Sequence, residues 1–156
     1  MKRQKRECEV YRFGETVQAE GNIRKVIAKG VMPVYKTKGA AAADCALPEQ
    51  VTLQPHETTK VDLCIGFEIP EDCCVMLYPR SSLLVKHGVM SPVSVIDSDY
   101  SRCHVHVVLH NLSDKSVTFE KGERVCQAIL TPVVDCVDWE HEKNERDPNG
   151  FGGTGR

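Results

Sequence analysis

A short segment at residues 78–82 (YPRSS) combines several groups that bind anions. Arg80 supplies a guanidinium, Ser81 and Ser82 supply hydroxyls, and the residues that follow have the pattern of a helix start. The free amides of a helix N-terminus and a nearby arginine together favour binding of phosphate. Serine is also a common helix cap, so the segment by itself predicts either a phosphate site or an ordinary cap.

A second segment, residues 95–100 (VIDSDY), places two carboxylates and one aromatic side chain at the end of an apolar run. Asp97 and Asp99 could hold a metal ion or activate a water molecule. A polar turn after a strand has the same composition, so this segment alone leaves both interpretations open.

The C-terminal segment is rich in glycine and carries one aromatic side chain, Phe151, within residues 149–155 (NGFGGTG). Glycine lets backbone amides approach a phosphate closely, and a phenyl ring can stack on a base. From about Asp138 the chain is too polar to bury a core. We therefore expect residues 138–156 to form either a disordered tail or a mobile arm that orders on binding.

Histidine and cysteine residues offer metal ligands in two further patterns. His104, His106 and His110 have even spacing, so they share one face of a strand, where three imidazoles could bind zinc. We expect a solvated strand there instead of a zinc site.

The eight cysteines include no C-x-x-C pair, so the sequence gives no support for a zinc ribbon. Without an export signal we expect reduced thiols rather than disulfides.

These segments lie among short apolar runs separated by turn-forming residues, with little helical periodicity. This pattern predicts an all-β sandwich, jelly roll or barrel, with one short helix at residues 81–88 that ends at Gly88. We expect one β domain over residues 1–137, with a flexible start at 1–9, followed by the arm at 138–156. The expected strands lie within residues 23–28, 31–35, 51–53, 60–69, 73–78, 92–96, 103–109, 116–119 and 124–130.

The composition narrows the class of protein. The 156 residues carry 20 lysines and arginines against 22 aspartates and glutamates, so the net charge of −2 predicts no attraction to nucleic acid or acidic lipid. No apolar run reaches the ~18 residues of a membrane span, and the first residues lack the apolar core of a signal peptide. We expect a soluble cytoplasmic protein, or a nuclear one in a eukaryotic or viral setting, that binds neither nucleic acid nor membrane.

The order and spacing of five segments resemble the trimeric dUTPase family, from about residue 33 to the last residue. Each segment is degenerate by itself, and residues 95–100 form the most specific one. Five segments in the correct order identify the family more strongly than any single one. They are residues 39–44 (GAAAAD), 79–83 (PRSSL), 95–100 (VIDSDY), 121–127 (KGERVCQ), and Arg146 with 150–155 (GFGGTG).

The resemblance implies a distorted jelly-roll β-barrel that assembles as a homotrimer with active sites shared between subunits. It implies hydrolysis of dUTP to dUMP and pyrophosphate with Mg²⁺, which limits uracil in DNA and supplies dUMP for dTMP synthesis. Asp97 would be the general base, Tyr100 would exclude a 2′-hydroxyl, and Phe151 would stack on uracil. Asp44 would contact the water shell of Mg²⁺. Further substrate contacts are implied for Arg80, Ser81, Ser82, Val95, Gln127, Arg146, Gly152 and Thr154.

The chain departs from the family pattern near the uracil-reading hairpin and in the arm. Ser94 stands where the family usually has glycine, and residues 101–103 (SRC) replace an Arg-Gly-acid run. Because glycine permits close approach of the backbone, the side chain of Arg102 takes up room at this hairpin. Gly153 stands where a phosphate-binding serine is common.

Two other functions are compatible with the motifs. A dCTP deaminase shares the pattern at residues 80–83, but its chemistry needs a glutamate in the strand where this chain has residues 103–106 (CHVH). A dUTPase-like protein that acts by binding a regulatory protein partner, with nucleotide as a switch, is not excluded by any residue.

Overall fold

The computed structural model describes residues 16–17, 25–28, 30–100 and 104–134, which form short strands and one short helix. The helix α1 spans Ser81–His87, and a 3₁₀ turn spans Ser98–Tyr100. The predicted all-β class is confirmed. The strands are β1 (Thr16–Val17), β2 (Lys25–Ala28), β3 (Ala43–Ala46), β4 (Val51–Leu53), β5 (Thr58–Asp62), β6 (Ile65–Glu68), β7 (Cys73–Pro79), β8 (Val89–Met90), β9 (Ser94–Ile96), β10 (His106–Asn111), β11 (Val117–Phe119) and β12 (Arg124–Pro132).

The largest sheet has four strands in the order β3-β12-β7-β9, and each neighbouring pair is antiparallel. Strand β12 is the centre of this sheet, since it pairs with β7 on one side and with β3 on the other. The other sheets have the orders β1-β2-β6, β5-β10-β8 and β11-β4. The antiparallel pairing places the start of β12 between β3 and the end of β7.

Apolar residues alternate with polar ones along the strands, and this alternation decides which face is buried. In β10, Val107 and Leu109 are buried, whereas His106 and His110 on the other face are partly exposed. The predicted face for these two histidines is confirmed, but His104 lies before the strand and bonds to Asp62 instead. The largest fully buried side chains are Phe67, Phe119, Leu47, Leu53, Leu63, Ile65, Leu83 and Leu109.

The predicted strands at 31–35 and 60–69 differ most from the structure, and β1, β3 and β8 were not predicted. Residues 31–35 form no strand, and only an isolated bridge joins Val34 to Asp44. The run at 60–69 is divided into β5 and β6, because Asp62 Oδ1 accepts the N–H of Cys64 at 2.7 Å and Cys64 has a φ of 53°. A side-chain acceptor of this kind takes a backbone donor away from the sheet and turns the chain.

Helix α1 ends as predicted but begins differently. Gly88 has φ 62° and ψ 26°, and its N–H donates to the carbonyl of Leu84 at 3.0 Å. Glycine adopts this left-handed conformation without a steric penalty. The N-cap residue is Arg80, without a side-chain cap hydrogen bond, and Ser81 and Ser82 lie in the first turn. The interpretation of these serines as caps is therefore wrong.

Three sequence predictions concern residues that the structure does not describe. The flexible start at residues 1–9, the boundary near 137 and the arm at 138–156 lie outside the described residues. Within the part that is described, no helix is long and apolar enough to cross a membrane.

Candidate active site

One end of the four-stranded sheet carries a largely buried carboxylate between two arginines. Asp44 lies in β3, and its side chain is 12% exposed. Its Oδ2 accepts a hydrogen bond from Nη1 of Arg124 at 2.8 Å, and its Oδ1 lies 3.4 Å from Nε of Arg80. Two guanidiniums beside one carboxylate leave an excess of positive charge, which suits an anionic ligand.

The strand register brings Gln127 to the same end of the sheet. On β12, Gln127 lies opposite Asp44 of β3 and opposite Tyr78 of β7. Arg80 follows β7 directly, and its N–H donates to the carbonyl of Val125 at 3.4 Å. Strand pairing therefore brings together an acid, an amide and a guanidinium that are far apart in the sequence.

A cleft of about 390 Å³ lies between α1 and the turn that precedes β12. Arg80, Lys86 and Arg124 contribute cationic groups to its lining, and Ser82 contributes a hydroxyl. Glu123 is the one carboxylate among the lining residues. The lining has a net positive charge beside a hydroxyl donor, so the cleft can bind a phosphate chain.

The turn on the far side of this cleft is held in place by backbone hydrogen bonds. Leu47 donates its N–H to the carbonyl of Glu123 at 2.9 Å and accepts the N–H of Gly122 at 2.9 Å. Gly122 has a φ of 86°, a conformation that favours glycine. These bonds fix residues 121–124 against the strand that carries Asp44.

Asp97 lies at the opposite end of β7. Strands β7 and β9 pair so that Val75 faces Ile96, which places Asp97 near Cys74. Burial raises the pKa of the Cys74 thiol, and the charge of Asp97 raises it further. A strand rises about 3.3 Å per residue, so Cys74 and Arg80 stand roughly 20 Å apart along β7. A single chain therefore does not bring Asp97 to the basic cleft.

The residues beside Asp97 form a compact turn. The N–H of Tyr100 donates to the carbonyl of Asp97 at 3.0 Å, and its hydroxyl donates to the carbonyl of His104 at 3.3 Å. The tyrosine is 8% exposed, whereas Val95 on β9 is 54% exposed. The turn thus holds a buried tyrosine three positions after Asp97, and the strand before the turn exposes an apolar side chain.

The structure divides the sequence-predicted site residues into two groups. The first group lies at the cleft end of the sheet and consists of Asp44, Arg80, Ser81, Ser82 and Gln127. The second group lies on β9 and in the turn that follows it, and consists of Val95, Asp97 and Tyr100. Four predicted residues lie outside the described part of the chain: Arg146, Phe151, Gly152 and Thr154. The departures at 101–103 and at Gly153 lie outside it as well.

Sequence reasoning assigned no role to two cations of this cleft. Arg124 lies within the segment 121–127, but only the β3–β12 pairing shows that it bonds to Asp44. Lys86 lies in the last turn of α1, where a basic residue is favourable at any helix end, so its position in the sequence carries no signal of a site.

Comparison with known sequences identifies the family. A family model described as dUTPase matches residues 28–155. The deoxyuridine 5'-triphosphate nucleotidohydrolase of Hydrogenobaculum sp. is 37% identical over 139 residues, which cover 85% of this chain and 96% of that protein. These matches favour a nucleotidohydrolase over the deaminase and over the purely regulatory alternative.

Solved structures agree with this assignment. The dUTPase from Streptococcus mutans is 27% identical, with a TM-score of 0.63 over 67% of this chain and 89% of that chain. A dUTPase from phage phi11 of S. aureus, which coordinates a structural Mg(II) ion, shares the fold at 18% identity, with a TM-score of 0.66 over 74% of this chain and 92% of that chain. The sequence matches and the fold lead to one conclusion: this chain belongs to the dUTPase family.

Proposed function

We propose that this protein hydrolyses dUTP to dUMP and pyrophosphate, with the phosphate chain bound in the basic cleft. The observation that carries the proposal is the cleft itself, where Arg80 and Arg124 flank Asp44 and Ser82 and Gln127 lie nearby. Guanidiniums and hydroxyls at this spacing bind phosphate oxygens through charge-assisted hydrogen bonds. Ser81, in the first helical turn beside Ser82, adds a second hydroxyl.

Asp97 is the proposed general base. It is partly exposed, and it is held at the end of β9 by the turn that contains Tyr100. A carboxylate in this position can orient a water molecule and accept its proton while the water attacks phosphorus. The ring of Tyr100 would support the deoxyribose and leave no room for a 2′-hydroxyl, and Val95 would contact the nucleoside.

The residues at the cleft would hold Mg²⁺ through water and phosphate oxygens. Both carboxylate oxygens of Asp44 already have arginine partners, so Asp44 would contact the ion through water rather than bind it alone. The remaining positions suit phosphate oxygens and water, which Mg²⁺ commonly keeps. When bound, the ion neutralises charge on the phosphate chain.

The distance between Asp97 and the cleft supports a homotrimer of jelly-roll barrels in which each active site is shared. Because the two groups stand at opposite ends of β7, Asp97 and Tyr100 of one subunit would complete the cleft of a neighbour. Apolar side chains on β9 and directly before it are exposed, as an interface would require. They are Val93 at 49% and Val95 at 54% exposed.

We further propose that residues 1–137 form the barrel domain and that residues 138–156 act as a lid. In this proposal Phe151 stacks on uracil, while Arg146, Gly152 and Thr154 contact the phosphates. Closure of such a lid would expel water and complete the site.

The test is release of pyrophosphate from dUTP, dCTP, dTTP and UTP by the full chain in the presence of Mg²⁺. We expect hydrolysis of dUTP with a kcat/KM well above that of the other three nucleotides. Deamination of dCTP without release of pyrophosphate would refute the proposal in favour of the deaminase. Tight dUTP binding without turnover of any of the four nucleotides would refute it in favour of a nucleotide-dependent regulator.

A further inference from the structure

Three side chains of different chemistry converge at a place outside the basic cleft. Asp62 ends β5, Cys64 lies in the turn between β5 and β6, and His104 precedes β10. A carboxylate oxygen, a thiol sulfur and a ring nitrogen from these residues all lie within 4.8 Å of one another. Within the part of the chain that the structure describes, no other three potential metal ligands from histidine, cysteine and acidic residues come together in this way.

Backbone hydrogen bonds hold the two chain segments together at this point. Leu63 donates its N–H to the carbonyl of Val105 at 2.9 Å, and Val105 donates its N–H to the carbonyl of Ile65 at 2.8 Å. These two bonds fix the residue on either side of Cys64 to the residue that follows His104. The backbone therefore holds the thiol of Cys64 and the imidazole of His104 close together without the help of a bound ligand.

The turn also positions Cys64 against Asp62. The N–H of Cys64 donates to Oδ1 of Asp62 at 2.7 Å, and Cys64 has a φ of 53°, which is uncommon for a residue other than glycine. The other carboxylate oxygen, Oδ2, is bonded to Nδ1 of His104. The side chains of His104 and Asp62 are 17% and 36% exposed, so the cluster is open to small ions.

We propose that Asp62, Cys64 and His104 form a binding site for Zn²⁺ or a similar borderline-soft divalent cation, separate from the site of dUTP hydrolysis. Thiolate sulfur, imidazole nitrogen and carboxylate oxygen are the donors that zinc takes in proteins, and one water would complete a tetrahedron. Ligand atoms around one tetrahedral zinc lie roughly 3.3–3.8 Å apart, so small side-chain movements suffice. The ion would replace the proton shared by Asp62 and His104.

The donor set also explains why Mg²⁺ would not occupy this site. A thiolate and a carboxylate supply two negative charges, which match a divalent cation, but Mg²⁺ prefers oxygen ligands in octahedral geometry. Cys64 is the one of the five described cysteines that is not buried, so its sulfur is accessible to a metal ion.

The site lies directly behind the turn that carries the proposed general base. The carbonyl of His104 accepts the hydroxyl of Tyr100 at 3.3 Å, and Tyr100 is bonded through its N–H to the carbonyl of Asp97. A metal that fixes His104 would therefore stiffen this turn. We expect bound zinc to stabilise the fold whether or not nucleotide is present.

The test uses the full chain without nucleotide, so that no phosphate-dependent metal site contributes. We expect one Zn²⁺ per chain by titration calorimetry and, with Co²⁺, a thiolate-to-cobalt charge-transfer band in the near ultraviolet. We also expect zinc to raise Tm by at least about 3 °C. Cys64→Ser and His104→Gln should each lower the zinc affinity by at least about tenfold and remove or weaken the cobalt band.

Matched variants separate this site from other sources of metal binding. His56→Gln alters another histidine–aspartate pair, His56 with Asp114 at 2.9 Å, which has no thiol beside it, and it should bind zinc like the parent. Asp62→Asn keeps an acceptor for the Cys64 N–H but loses the charge, so it should fold normally and bind zinc more weakly. The proposal would be overturned if the chain bound no zinc. It would also be overturned if the cobalt band persisted in Cys64→Ser and disappeared in Cys103→Ser. Neither result depends on dUTP hydrolysis.

Discussion

At the scale of single residues, the negative charge of Asp44 beside the cleft is balanced by two arginines. Asp44 bonds to Arg124 and lies beside Arg80, so it orients both guanidiniums while their net charge stays positive. Asp97 lies in a different setting, directly after β9 and close to a thiol whose pKa it raises. The function proposed above gives the two aspartates different tasks, positioning for Asp44 and acceptance of a proton for Asp97.

Substitution Asp97→Asn tests the second of these tasks. The amide keeps the shape of the side chain but cannot accept the proton of the attacking water. We expect turnover of dUTP to fall by at least ~10²-fold, with binding of a non-hydrolysable dUTP analogue nearly unchanged. Turnover within about tenfold of the parent would exclude Asp97 as the base.

Substitution Tyr100→Ala tests how the sugar is read. The parent should discriminate strongly against UTP, since the ring would clash with a 2′-hydroxyl. Loss of the ring should reduce the ratio of kcat/KM for dUTP to that for UTP by at least about tenfold. An unchanged ratio would show that another group reads the sugar, even if both activities fall.

At the scale of elements, the turn between β5 and β6 depends on a close approach by the chain that follows β2. Gly30 donates its N–H to the carbonyl of Cys64 at 3.0 Å, and a β-carbon on Gly30 would lie only 2.3 Å from the carbonyl oxygen of Leu63. Contacts of that length do not occur without movement of one segment. The need for glycine at position 30 cannot be predicted from the sequence pattern, because the two segments meet only in the folded chain.

Substitution Gly30→Ala should therefore destabilise the protein by about 1–3 kcal/mol, the usual range for overpacking a close contact. The free energy of unfolding in urea is the measurement. Gly39→Ala is the matched control, since nothing lies within 4 Å of a β-carbon there and its φ is ordinary. Equal stabilities of the two variants would mean that the backbone at Gly30 moves aside without cost.

At the scale of the whole molecule, β7 separates Asp97 from the basic cleft, and the proposed function needs both. The strand carries Arg80 beyond one end, while the pairing of β7 with β9 fixes Asp97 at the other. Chemistry that needs both residues then requires more than one copy of the chain. A closed ring of identical subunits supplies equivalent shared sites from a single kind of contact.

Mixed oligomers test this arrangement. Arg80→Ala and Asp97→Asn should each be nearly inactive alone, because every site lacks one group. When the two variants are co-expressed with different tags and mixed trimers are isolated, each mixed trimer should regain about one of its three sites. Mixed oligomers without recovered activity would place both residues in the same subunit's site.

Deletion of residues 146–156 tests the proposed lid. Because this segment has too little apolar content to fold alone, its loss should leave Tm and the size of the oligomer unchanged. The deletion should lower kcat/KM for dUTP by on the order of 10²-fold, the scale for the loss of positioning groups. Full activity of the shortened chain would show that Arg146 and Phe151 take no part in the reaction.

The sequence by itself determined the family and part of the local structure of this protein. Local chemistry was sufficient for the all-β class, the end of α1 at Gly88 and the burial alternation of β10, since each depends on residues close together in the chain. The ordered motifs predicted roles for Arg80 and Asp97, since motif recognition needs only residue type and spacing; these roles stay predictions.

Tertiary structure alone decided which of these residues meet. Arg124 bonds to Asp44 across 80 positions of sequence, and His104 bonds to Asp62 across 42, so neither contact has a local signal. The even spacing of the histidines indicated a shared strand face, but the break after Asp62 placed His104 beside Cys64 instead. Strand register and turn geometry set these distances, and both depend on contacts between segments that no local pattern in the sequence encodes.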